Sequence, residues 1–369
     1  MNVLFAGGGT GGHLYPALAI ARALVAANPD VRPFFVGAER GVERTVLPTT
    51  EFQHELLELH PLYRPRIWKN WRTLASAHGA WRRVSTLVDE LQPRALVSTG
   101  GYAAGVALAV ASRRRLPIVI QAPDSFPGIT IRYFARRAAQ LHLGFPEARA
   151  LVRVGRDTQV FVDGNPIDPP PPPATRPLRS DTMAAWDFDD AARPVVLVTG
   201  GSQGSAAINA AVAAWLDASS ADANAPYVIW ATGPKTYDLY RDRESARVRV
   251  RPYIAPMRDA YGAATIAISR AGAMTTAELC AWGLPAILVP LPTAAADHQT
   301  LNARAIAADG AAIMLPQASL DATVLAQAVG SLLGDSTRLD AMRDATLRRA
   351  RPNAAQDIAA HILAMPCFK

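Results

Sequence analysis

Short runs of valine, isoleucine and leucine alternate along this chain with longer, alanine-rich stretches. The apolar runs do not alternate polar and apolar positions, so they predict strands buried on both faces of parallel sheets, with helices between them. The predicted strands are Val3–Ala6, Pro33–Val36, Ala95–Ser98, Ile118–Gln121, Leu141–Gly144, Val195–Val198, Tyr227–Ala231, Val248–Pro252, Ile266–Ser269 and Ala286–Val289. Their alternation with helices predicts an α/β fold.

A glycine-rich turn follows the first predicted strand, and a similar turn lies halfway along the chain. Residues 7–12 read G-G-G-T-G-G ahead of a helix predicted over Pro16–Val25, and residues 200–204 read G-G-S-Q-G ahead of a helix predicted over Ala206–Trp215. Glycine lacks a Cβ, so we expect another molecule's oxygen atoms to approach this backbone, and the N-terminus of a helix favours phosphate. The two turns predict two phosphate-binding halves.

One proline-rich segment divides the chain. Asn165-Pro166 and the five prolines of Pro169–Pro173 do not fit a helix or a central strand, so they predict a linker. At 369 residues the chain is long enough for two domains. We expect an N-terminal domain over residues 1–165 and a C-terminal domain over residues 166–351, with residues 352–369 packing back on the first.

Composition limits the partners of the chain. The formal charge of +7, carried mainly by arginine, favours anionic partners such as nucleotides and phospholipid headgroups. No zinc-finger spacing or aromatic-interleaved basic strand indicates nucleic-acid binding, so we expect no nucleic-acid partner. The two isolated cysteines are typical of a reducing compartment, and the most apolar stretch, Tyr102–Ala111, is too short to span a bilayer.

His13 directly follows the first glycine turn. A histidine can take a hydroxyl proton near neutral pH, so His13 is a candidate general base or phosphate partner; alternatively, it only bonds a loop carbonyl at the start of its helix. Gly7, Gly9 and Gly12 also match G-x-G-x-x-G, which leaves an NAD-dependent oxidoreductase open as an alternative. The chain has no Gly-Lys-Ser/Thr, so the turn is not a Walker-type nucleotide loop.

Residues 266–302 hold most of the polar candidates of the second half. Glu278 can accept hydrogen bonds from two neighbouring ribose hydroxyls, or it can simply favour the N-terminal end of its helix. His298, Gln299 and Asn302 have helical spacing and could present polar groups to a sugar. A solvated surface is the alternative for these three residues.

Asp187-Phe188-Asp189 matches the D-x-D motif of metal-dependent nucleotide-sugar enzymes. It lies in an acidic patch just after the proline-rich segment. We therefore interpret it as a solvated loop and expect no metal there.

Residues 60–83 combine aromatic and basic side chains. A protein patch that binds at the membrane interface combines such side chains. The alternative is that the tryptophans lie in the core and the arginines form a solvated face. The residues concerned are Tyr63, Arg64, Arg66, Ile67, Trp68, Lys69, Trp71, Arg72, Leu74, Trp81, Arg82 and Arg83.

Taken in order, several motifs of this chain resemble the MurG family, the UDP-N-acetylglucosamine–N-acetylmuramyl-(pentapeptide) pyrophosphoryl-undecaprenol N-acetylglucosamine transferases. The motifs are G-G-T-G-G-H-x-x-P at Gly8–Pro16, G-G-Y at Gly100–Tyr102, G-N-P at Gly164–Pro166, G-G-S-Q-G at Gly200–Gly204, S-R-A-G-A at Ser269–Ala273, A-E-L at Ala277–Leu279, G-x-P at Gly283–Pro285 and D-x-Q-x-x-N-A at Asp297–Ala303. They cover nearly the whole chain. The resemblance implies the GT-B glycosyltransferase architecture, with two Rossmann-like domains, parallel sheets and an interdomain cleft.

The resemblance implies inverting transfer of N-acetylglucosamine from UDP-N-acetylglucosamine to the muramyl sugar of lipid I, giving lipid II in peptidoglycan synthesis. It also implies a peripheral protein at the cytoplasmic face of the plasma membrane, without a cofactor or metal. Its partners would be the anionic membrane surface, the lipid-linked muramyl-pentapeptide acceptor and other cell-wall synthesis proteins. The alternatives are another UDP-sugar glycosyltransferase of this architecture with a different acceptor, and a catalytically inactive nucleotide-sugar-binding homologue.

The resemblance further implies roles for individual residues. The C-terminal domain would bind the donor through Ser202, Gln203 and Gly204 at the diphosphate, Ile254, Met257 and Arg270 near the uracil and ribose, Glu278 at the ribose hydroxyls, and His298 and Gln299 near the sugar. The N-terminal domain would bind the acceptor's pyrophosphate through Thr10, Gly11, Gly12, Gly101 and Tyr102. We expect His13 to be the catalytic base, with Asp124 as the second candidate.

The chain departs from the family pattern in two places. Where the family has histidine or glutamine followed by Glu-Gln-Asn, this chain has Gln121-Ala122-Pro123-Asp124. Asp168 stands in place of the arginine that follows G-N-P-V in the family. Since an alanine can neither accept a proton nor bond a sugar, the base hypothesis rests more heavily on His13.

Overall fold

The structure is a computed structural model that describes residues 1–60 and 71–369, with the backbone alone for residues 71–75. It divides the chain into two compact units, Met1–Ile167 with Asn353–Lys369, and Asp168–Pro352. In the described residues, each unit contains one parallel sheet, which confirms the predicted α/β class.

Strands and helices alternate along both units. The strands are β1 (Asn2–Gly7), β2 (Arg32–Ala38), β3 (Gln53–Leu57), β4 (Ala95–Gly100), β5 (Ile118–Ala122), β6 (Gln140–Leu143), β7 (Gln159–Phe161), β8 (Val195–Thr199), β9 (Tyr227–Ala231), β10 (Val248–Arg251), β11 (Ile266–Ser269), β12 (Ala286–Leu288) and β13 (Ala312–Met314). The helices are α1 (Gly11–Ala27), α2 (Glu43–Val46), α3 (Trp71–Leu91), α4 (Ala104–Arg114), α5 (Ile129–Phe134), α6 (Arg179–Ala184), α7 (Ala206–Ala218), α8 (Tyr237–Tyr240), α9 (Met257–Ala263), α10 (Ala273–Ala281), α11 (His298–Ala308), α12 (Ala322–Leu333), α13 (Ser336–Arg349) and α14 (Ala354–Leu363).

Both sheets are doubly wound in the same way. The first has the order β3-β2-β1-β4-β5-β6-β7 and the second the order β10-β9-β8-β11-β12-β13. The winding direction therefore reverses between β1 and β4 and between β8 and β11. Ligands of such sheets bind beyond the carboxyl ends of the strands at this reversal. The glycine turns at residues 7–12 and 200–204 directly follow β1 and β8, so each turn lies at a reversal point.

Burial on both faces explains the continuous apolar strands. In β1, Val3 and Phe5 join a core cluster with residues of α1 and α14, whereas Leu4 and Ala6 join the cluster beneath α3 and α4. The second sheet is covered in part by α7 and α12. α14 packs on α1, so the segment after Pro352 returns to the first unit.

The three strands that sequence patterning missed, β3, β7 and β13, all lie at sheet edges. β3 reads Q-H-E-L-L, and β7 and β13 have only three residues each. An edge strand has one neighbour and is only partly buried, so its sequence lacks the apolar run that marks a central strand. None of the helices in the described residues is long and apolar enough to cross a membrane.

Candidate functional site

Protein side chains occupy the space beside the first three glycines of the first turn. A Cβ on residues 7–9 would collide in turn with Thr99, Glu43 and Tyr102. The prediction that another molecule's oxygen atoms approach the backbone is therefore wrong for these three glycines. Their lack of a Cβ instead lets the turn pack against β4 and α2.

The accessible part of the first turn is residues 10–12. α1 begins at Gly11, five residues before the predicted start, and Thr10 and Gly12 are exposed. The first amides of a helix have no acceptor within the helix, and the helix dipole favours an anion at this end. The geometry of residues 10–12 suits a phosphate group.

Glu43 is a buried carboxylate beside this turn that sequence reasoning missed. Its Oε1 accepts hydrogen bonds from the N–H groups of Gly9 (2.8 Å) and Ala38 (3.3 Å). Within the described residues its buried Oε2 has no hydrogen-bond partner. Burial, and secondarily the charge of Glu43, raise the pKa of Tyr102, whose ring packs on Gly9. No motif marks Glu43, because only the fold brings it to the turn.

His13 is held by a reciprocal pair of hydrogen bonds to Thr99. Its Nδ1 lies 2.8 Å from the Thr99 carbonyl, and the Thr99 hydroxyl donates to the His13 carbonyl (2.6 Å). The carbonyl bond of the alternative interpretation is present, although its acceptor belongs to β4 and not to a loop, and His13 stays a candidate base. That bond also sets the tautomer: a carbonyl can only accept, so Nδ1 carries the proton and the lone pair of the neutral ring is at Nε2. A neutral imidazole in this tautomer has the lone pair that a base requires.

An irregularity at the end of β4 positions Thr99 beside His13. The register with β1 skips one residue between Ser98 and Gly100, so Thr99 is an extra residue in β4. Gly100 and Gly101 follow with φ of +90° and +82°, and a Cβ on Gly101 would lie 3.2 Å from the His13 ring. Glycine at these positions allows both the left-handed backbone and the close approach of the imidazole.

Buried amides hold the segment after β5. Gln121 Nε2 donates to Asn165 Oδ1 (2.9 Å), and Asn165 Nδ2 donates to the Pro123 carbonyl (3.0 Å). Asp124 is half-buried at the carboxyl edge of the first sheet. Ala122 is fully buried, so its side chain is not available to a substrate. Asp124 stays a candidate base by its position.

The second glycine turn is open at its middle residues. Ser202 and Gln203 are exposed, and apart from the adjacent residues no described atom lies within 4 Å of the position that a Cβ on Gly201 would occupy. A Cβ on Gly200 or Gly204 would instead collide with the backbone of Ser205 or Thr232. Accessible backbone is therefore confirmed at Gly201. Gly204 has φ of +73° and leads to Ser205, the N-cap of α7, whose Oγ accepts a hydrogen bond from an amide of the first helical turn (3.3 Å).

Glu278 lies in the second turn of α10 and is half-buried. The Tyr261 hydroxyl of α9 donates to Glu278 Oε2 (2.7 Å). Burial raises the pKa of Glu278, and the charge of Asp168 adds to this rise. The first turn of α10 contains no acidic residue, so the alternative of a carboxylate favouring the helix N-terminus is wrong. Asp168, one of the departures from the family pattern, thus acts on the candidate ribose ligand.

The guanidinium of Arg270 donates hydrogen bonds to other groups of the protein. Nη1 donates to the carbonyls of Val289 (3.1 Å) and Pro290 (3.0 Å), and Nη2 donates to Gln317 Oε1 (2.6 Å). Burial lowers the pKa of Arg270. These bonds join the ends of β11 and β12 and fix the guanidinium, and Arg270 stays a predicted donor-binding residue.

Ile254 and Met257 lie beside the start of α9. The Ile254 side chain is buried, whereas Met257 is half-buried at the first position of the helix.

α11 starts after a strained turn. Ala296 and Asp297 both have left-handed φ, +53° and +54°, a conformation that costs a non-glycine residue energy and is enriched at functional sites. His298 Nδ1 lies 2.7 Å from a backbone carbonyl, and Gln299 Oε1 accepts from a backbone N–H (3.0 Å). The prediction for Asn302 is wrong: it is fully buried, and its Nδ2 donates to the Ala271 carbonyl (3.2 Å).

The interpretation of the Asp187–Asp189 segment as a solvated loop is confirmed for its exposed aspartates and is wrong for Phe188. Phe188 is buried and stacks on the Tyr227 ring at 4.2 Å between centroids. The Tyr227 hydroxyl donates to Asp189 Oδ1 (2.5 Å). The flanking aspartates themselves are exposed.

Most of the aromatic and basic stretch at residues 60–83 lies outside the described side chains. Within the described part, Trp81 packs on the core beneath α3 and α4, and Arg83 pairs with Glu55 at 2.6 Å. The alternative, a core tryptophan, is therefore confirmed for Trp81.

Comparisons with known proteins cover both units. The model of the glycosyltransferase family 28 N-terminal domain matches residues 3–143, and that of the C-terminal domain matches residues 195–361. A UDP-N-acetylglucosamine–N-acetylmuramyl-(pentapeptide) pyrophosphoryl-undecaprenol N-acetylglucosamine transferase of Salinibacter ruber is 40% identical over 374 residues, covering 99% of this chain and 96% of the relative. A protein of the same name from Chlorobium phaeobacteroides is 38% identical over 377 residues, covering 98% and 99%.

Solved structures share the fold. The crystal structure of Acinetobacter baumannii MurG matches with a TM-score of 0.77 at 24% identity, covering 99% of each chain. A calicheamicin glycosyltransferase matches with a TM-score of 0.67 at 16% identity, covering 99% of this chain and 98% of the other. These likenesses confirm the GT-B class expected from the sequence, with two Rossmann-like units.

Proposed function

This chain belongs to the MurG family of glycosyltransferases, and we propose on that premise that it transfers N-acetylglucosamine from UDP-N-acetylglucosamine to the muramyl sugar of lipid I. The product is lipid II, an intermediate of peptidoglycan synthesis. One observation carries the chemistry: each unit places a glycine turn and a helix N-terminus at the reversal point of its sheet. Family membership also removes the NAD-dependent oxidoreductase as an alternative.

We assign the donor to the second unit. The exposed middle of the turn at residues 200–204 and the N-terminus of α7 would bind the diphosphate, because the helix dipole favours an anion there. Tyr261 occupies one oxygen of Glu278, leaving Oε1 to accept a ribose hydroxyl. Since Gln299 uses Oε1 within the protein, it would offer its amide N–H groups to the sugar.

We assign the acceptor's pyrophosphate to residues 10–12 of the first unit and the proton transfer to His13. The acceptor hydroxyl oxygen forms a bond to the anomeric carbon of the donor while the bond from that carbon to the UDP oxygen breaks. His13 Nε2 takes the hydroxyl proton, and the resulting imidazolium keeps its Nδ1–H bond to Thr99. Attack opposite to UDP inverts the anomeric configuration.

The departing UDP gains negative charge as this bond breaks. The N-terminus of α7 and the amides of the second glycine turn are fixed in place before the reaction, so they stabilise this charge without reorganising. Ser205 contributes by capping α7, which keeps the helix start rigid.

The test is release of UDP with a panel of acceptors. We expect UDP release from UDP-N-acetylglucosamine with lipid I, one UDP per sugar transferred, and only background hydrolysis with the lipid pyrophosphate that lacks the muramyl group. Faster release with another glycolipid or a small-molecule acceptor would support the alternative glycosyltransferase. Binding of the donor without release for any acceptor would identify an inactive homologue.

We propose that the first unit contacts the anionic cytoplasmic face of the plasma membrane through a surface around α5. Tyr133 and Ile129 are 62% and 60% exposed and lie four residues apart on α5, so they share one helix face. Arginines line the same surface as Tyr133, a combination that favours anionic lipid. This α5 patch comprises Ile129, Arg132, Tyr133, Arg136, Arg137, Leu151 and Arg153.

Charge reversal within the α5 patch should weaken membrane binding. For Arg136→Glu/Arg137→Glu we expect more than ~10-fold weaker binding to vesicles of anionic phospholipid, since each cation near the surface contributes about 1 kcal/mol. Arg338→Glu/Arg348→Glu, exposed on α13 of the other unit, is the matched control and should bind as the wild type does. Sedimentation with vesicles measures both. If both variants lose vesicle affinity equally, the net charge of the protein, and not the α5 patch, determines membrane binding.

A further inference from the structure

Three side chains that the transfer reaction does not use converge in the first unit. His142 comes from β6, Asp163 from the segment after β7, and His361 from α14. One ligand atom from each residue lies within 4.8 Å of the other two. His142 is fully buried and Asp163 is 9% exposed. The sequence gives no sign of this cluster, because its members are far apart along the chain.

Gln140 determines where the proton of His142 lies. Gln140 Nε2 donates to the His361 backbone carbonyl (2.8 Å), which makes Oε1 the amide atom that faces His142 Nε2 at 3.3 Å. That oxygen can only accept, so His142 Nε2 carries a hydrogen. In the neutral ring the lone pair is therefore at Nδ1.

Both histidines direct Nδ1 at one carboxylate oxygen. Asp163 Oδ2 lies 2.5 Å from His142 Nδ1 and 3.5 Å from His361 Nδ1. The His361 atom is buried and, within the described residues, has no hydrogen-bond partner. A carboxylate oxygen that faces two imidazole nitrogens is a donor set that a single cation can share.

We propose that His142, Asp163 and His361 bind one divalent transition-metal ion, with Zn²⁺ as the best match. Two imidazole nitrogens and one carboxylate oxygen are ligands that zinc accepts at about 2 Å, whereas Mg²⁺ and Ca²⁺ prefer all-oxygen sites. His142 Nδ1 and Asp163 Oδ2, 2.5 Å apart without the ion, would separate to about 3.3 Å around it. Gln140 would orient His142 from outside the coordination shell, as partners of metal-bound histidines commonly do. Solvent would fill the fourth position.

The ion would tie the C-terminal helix to the first sheet. Asp163 lies shortly before the chain leaves the first unit at Ile167, and His361 lies in the stretch that re-enters it at Asn353. The π-stacked ring of Phe161, 3.9 Å from the His361 ring, closes one side of the cluster. The role is structural and independent of the sugar transfer.

Zinc titration of the full chain, after dialysis against a chelator, tests this proposal. By calorimetry we expect one Zn²⁺ per chain, and a higher thermal unfolding midpoint when zinc is present. Asp163→Asn and His361→Ala should weaken binding by more than the ~10–100-fold typical for loss of an outer-shell partner, and zinc should no longer raise their unfolding midpoint. His54→Ala, a half-buried histidine of β3, is the matched control and should behave as the wild type does.

Two results would overturn the proposal: no stoichiometric zinc binding by the wild type, or unchanged affinity in both variants. A proton shared between Asp163 and His142 would then account for the short contact. If both variants fail to fold, the visible spectrum of the wild type with Co²⁺ decides. Tetrahedral Co²⁺ absorption supports the site, and the spectrum of hydrated Co²⁺ contradicts it.

Discussion

His13→Ala should lower the turnover number for transfer to lipid I by about 100-fold or more, with the dissociation constant of UDP-N-acetylglucosamine nearly unchanged. The expected loss reflects removal of the group that takes the acceptor's proton. Donor affinity should persist because the residues assigned to the donor lie in the second unit, Asp168–Pro352. Single-turnover kinetics and calorimetry measure the two quantities separately.

The Asp124→Asn variant provides the comparison. Asp124 follows β5 at the same carboxyl edge of the sheet, and asparagine keeps its size while removing the basic carboxylate. If His13 is the base, Asp124→Asn should lose much less turnover than His13→Ala. Wild-type turnover in His13→Ala, together with a large loss in Asp124→Asn, would transfer the role to Asp124.

Glu278→Ala should weaken binding of UDP-N-acetylglucosamine by about 10–100-fold, since hydrogen bonds to a charged group are worth about 1.5–3 kcal/mol. The variant removes the acceptor for the ribose hydroxyls and leaves the Tyr261 hydroxyl without its partner. Calorimetry measures the loss directly. Unaltered donor affinity in a folded Glu278→Ala protein would reject the ribose assignment.

Glu278 also predicts how donor binding depends on pH. Burial raises the pKa of this carboxyl, so on acidification it gains a proton at a higher pH than an exposed glutamate does. A protonated carboxyl accepts hydroxyl hydrogen bonds less well, so donor affinity should fall as the pH drops through this raised pKa. In Glu278→Gln, which cannot titrate, that decline should be absent. An identical pH profile in both proteins would show that another group titrates.

The central strands and both turns follow from the sequence, because burial on two faces and glycine-helix junctions leave local patterns. The contacts that these turns make cannot be derived from the sequence. Residues 7–9 were expected to face a ligand, yet Glu43, Thr99 and Tyr102 fill that space. Only the pairing of β1 with β2 and β4 brings these side chains to the turn.

Asn302 shows a second limit of pattern reasoning. Helical spacing places His298 and Asn302 on one face of α11, but spacing does not say how far along the helix that face stays exposed. The structure buries Asn302 against the Ala271 carbonyl, whereas His298 is half-buried near the helix start. Glu278 became a candidate because a carboxylate can accept two neighbouring hydroxyls, and spacing does not show that Tyr261 already donates to Oε2.

The proposed reaction is tested most directly by determining the anomeric configuration of the glycosidic bond that forms from labelled donor. The protein is incubated with UDP-N-acetylglucosamine, labelled in the sugar, and with lipid I, and the lipid product is treated with a β-specific N-acetylhexosaminidase. We predict that the label enters the lipid and that the β-specific enzyme releases it, because inversion of the α-linked donor gives a β-glycoside. Label that stays on UDP, or a lipid product that resists the enzyme, would contradict inverting transfer to lipid I.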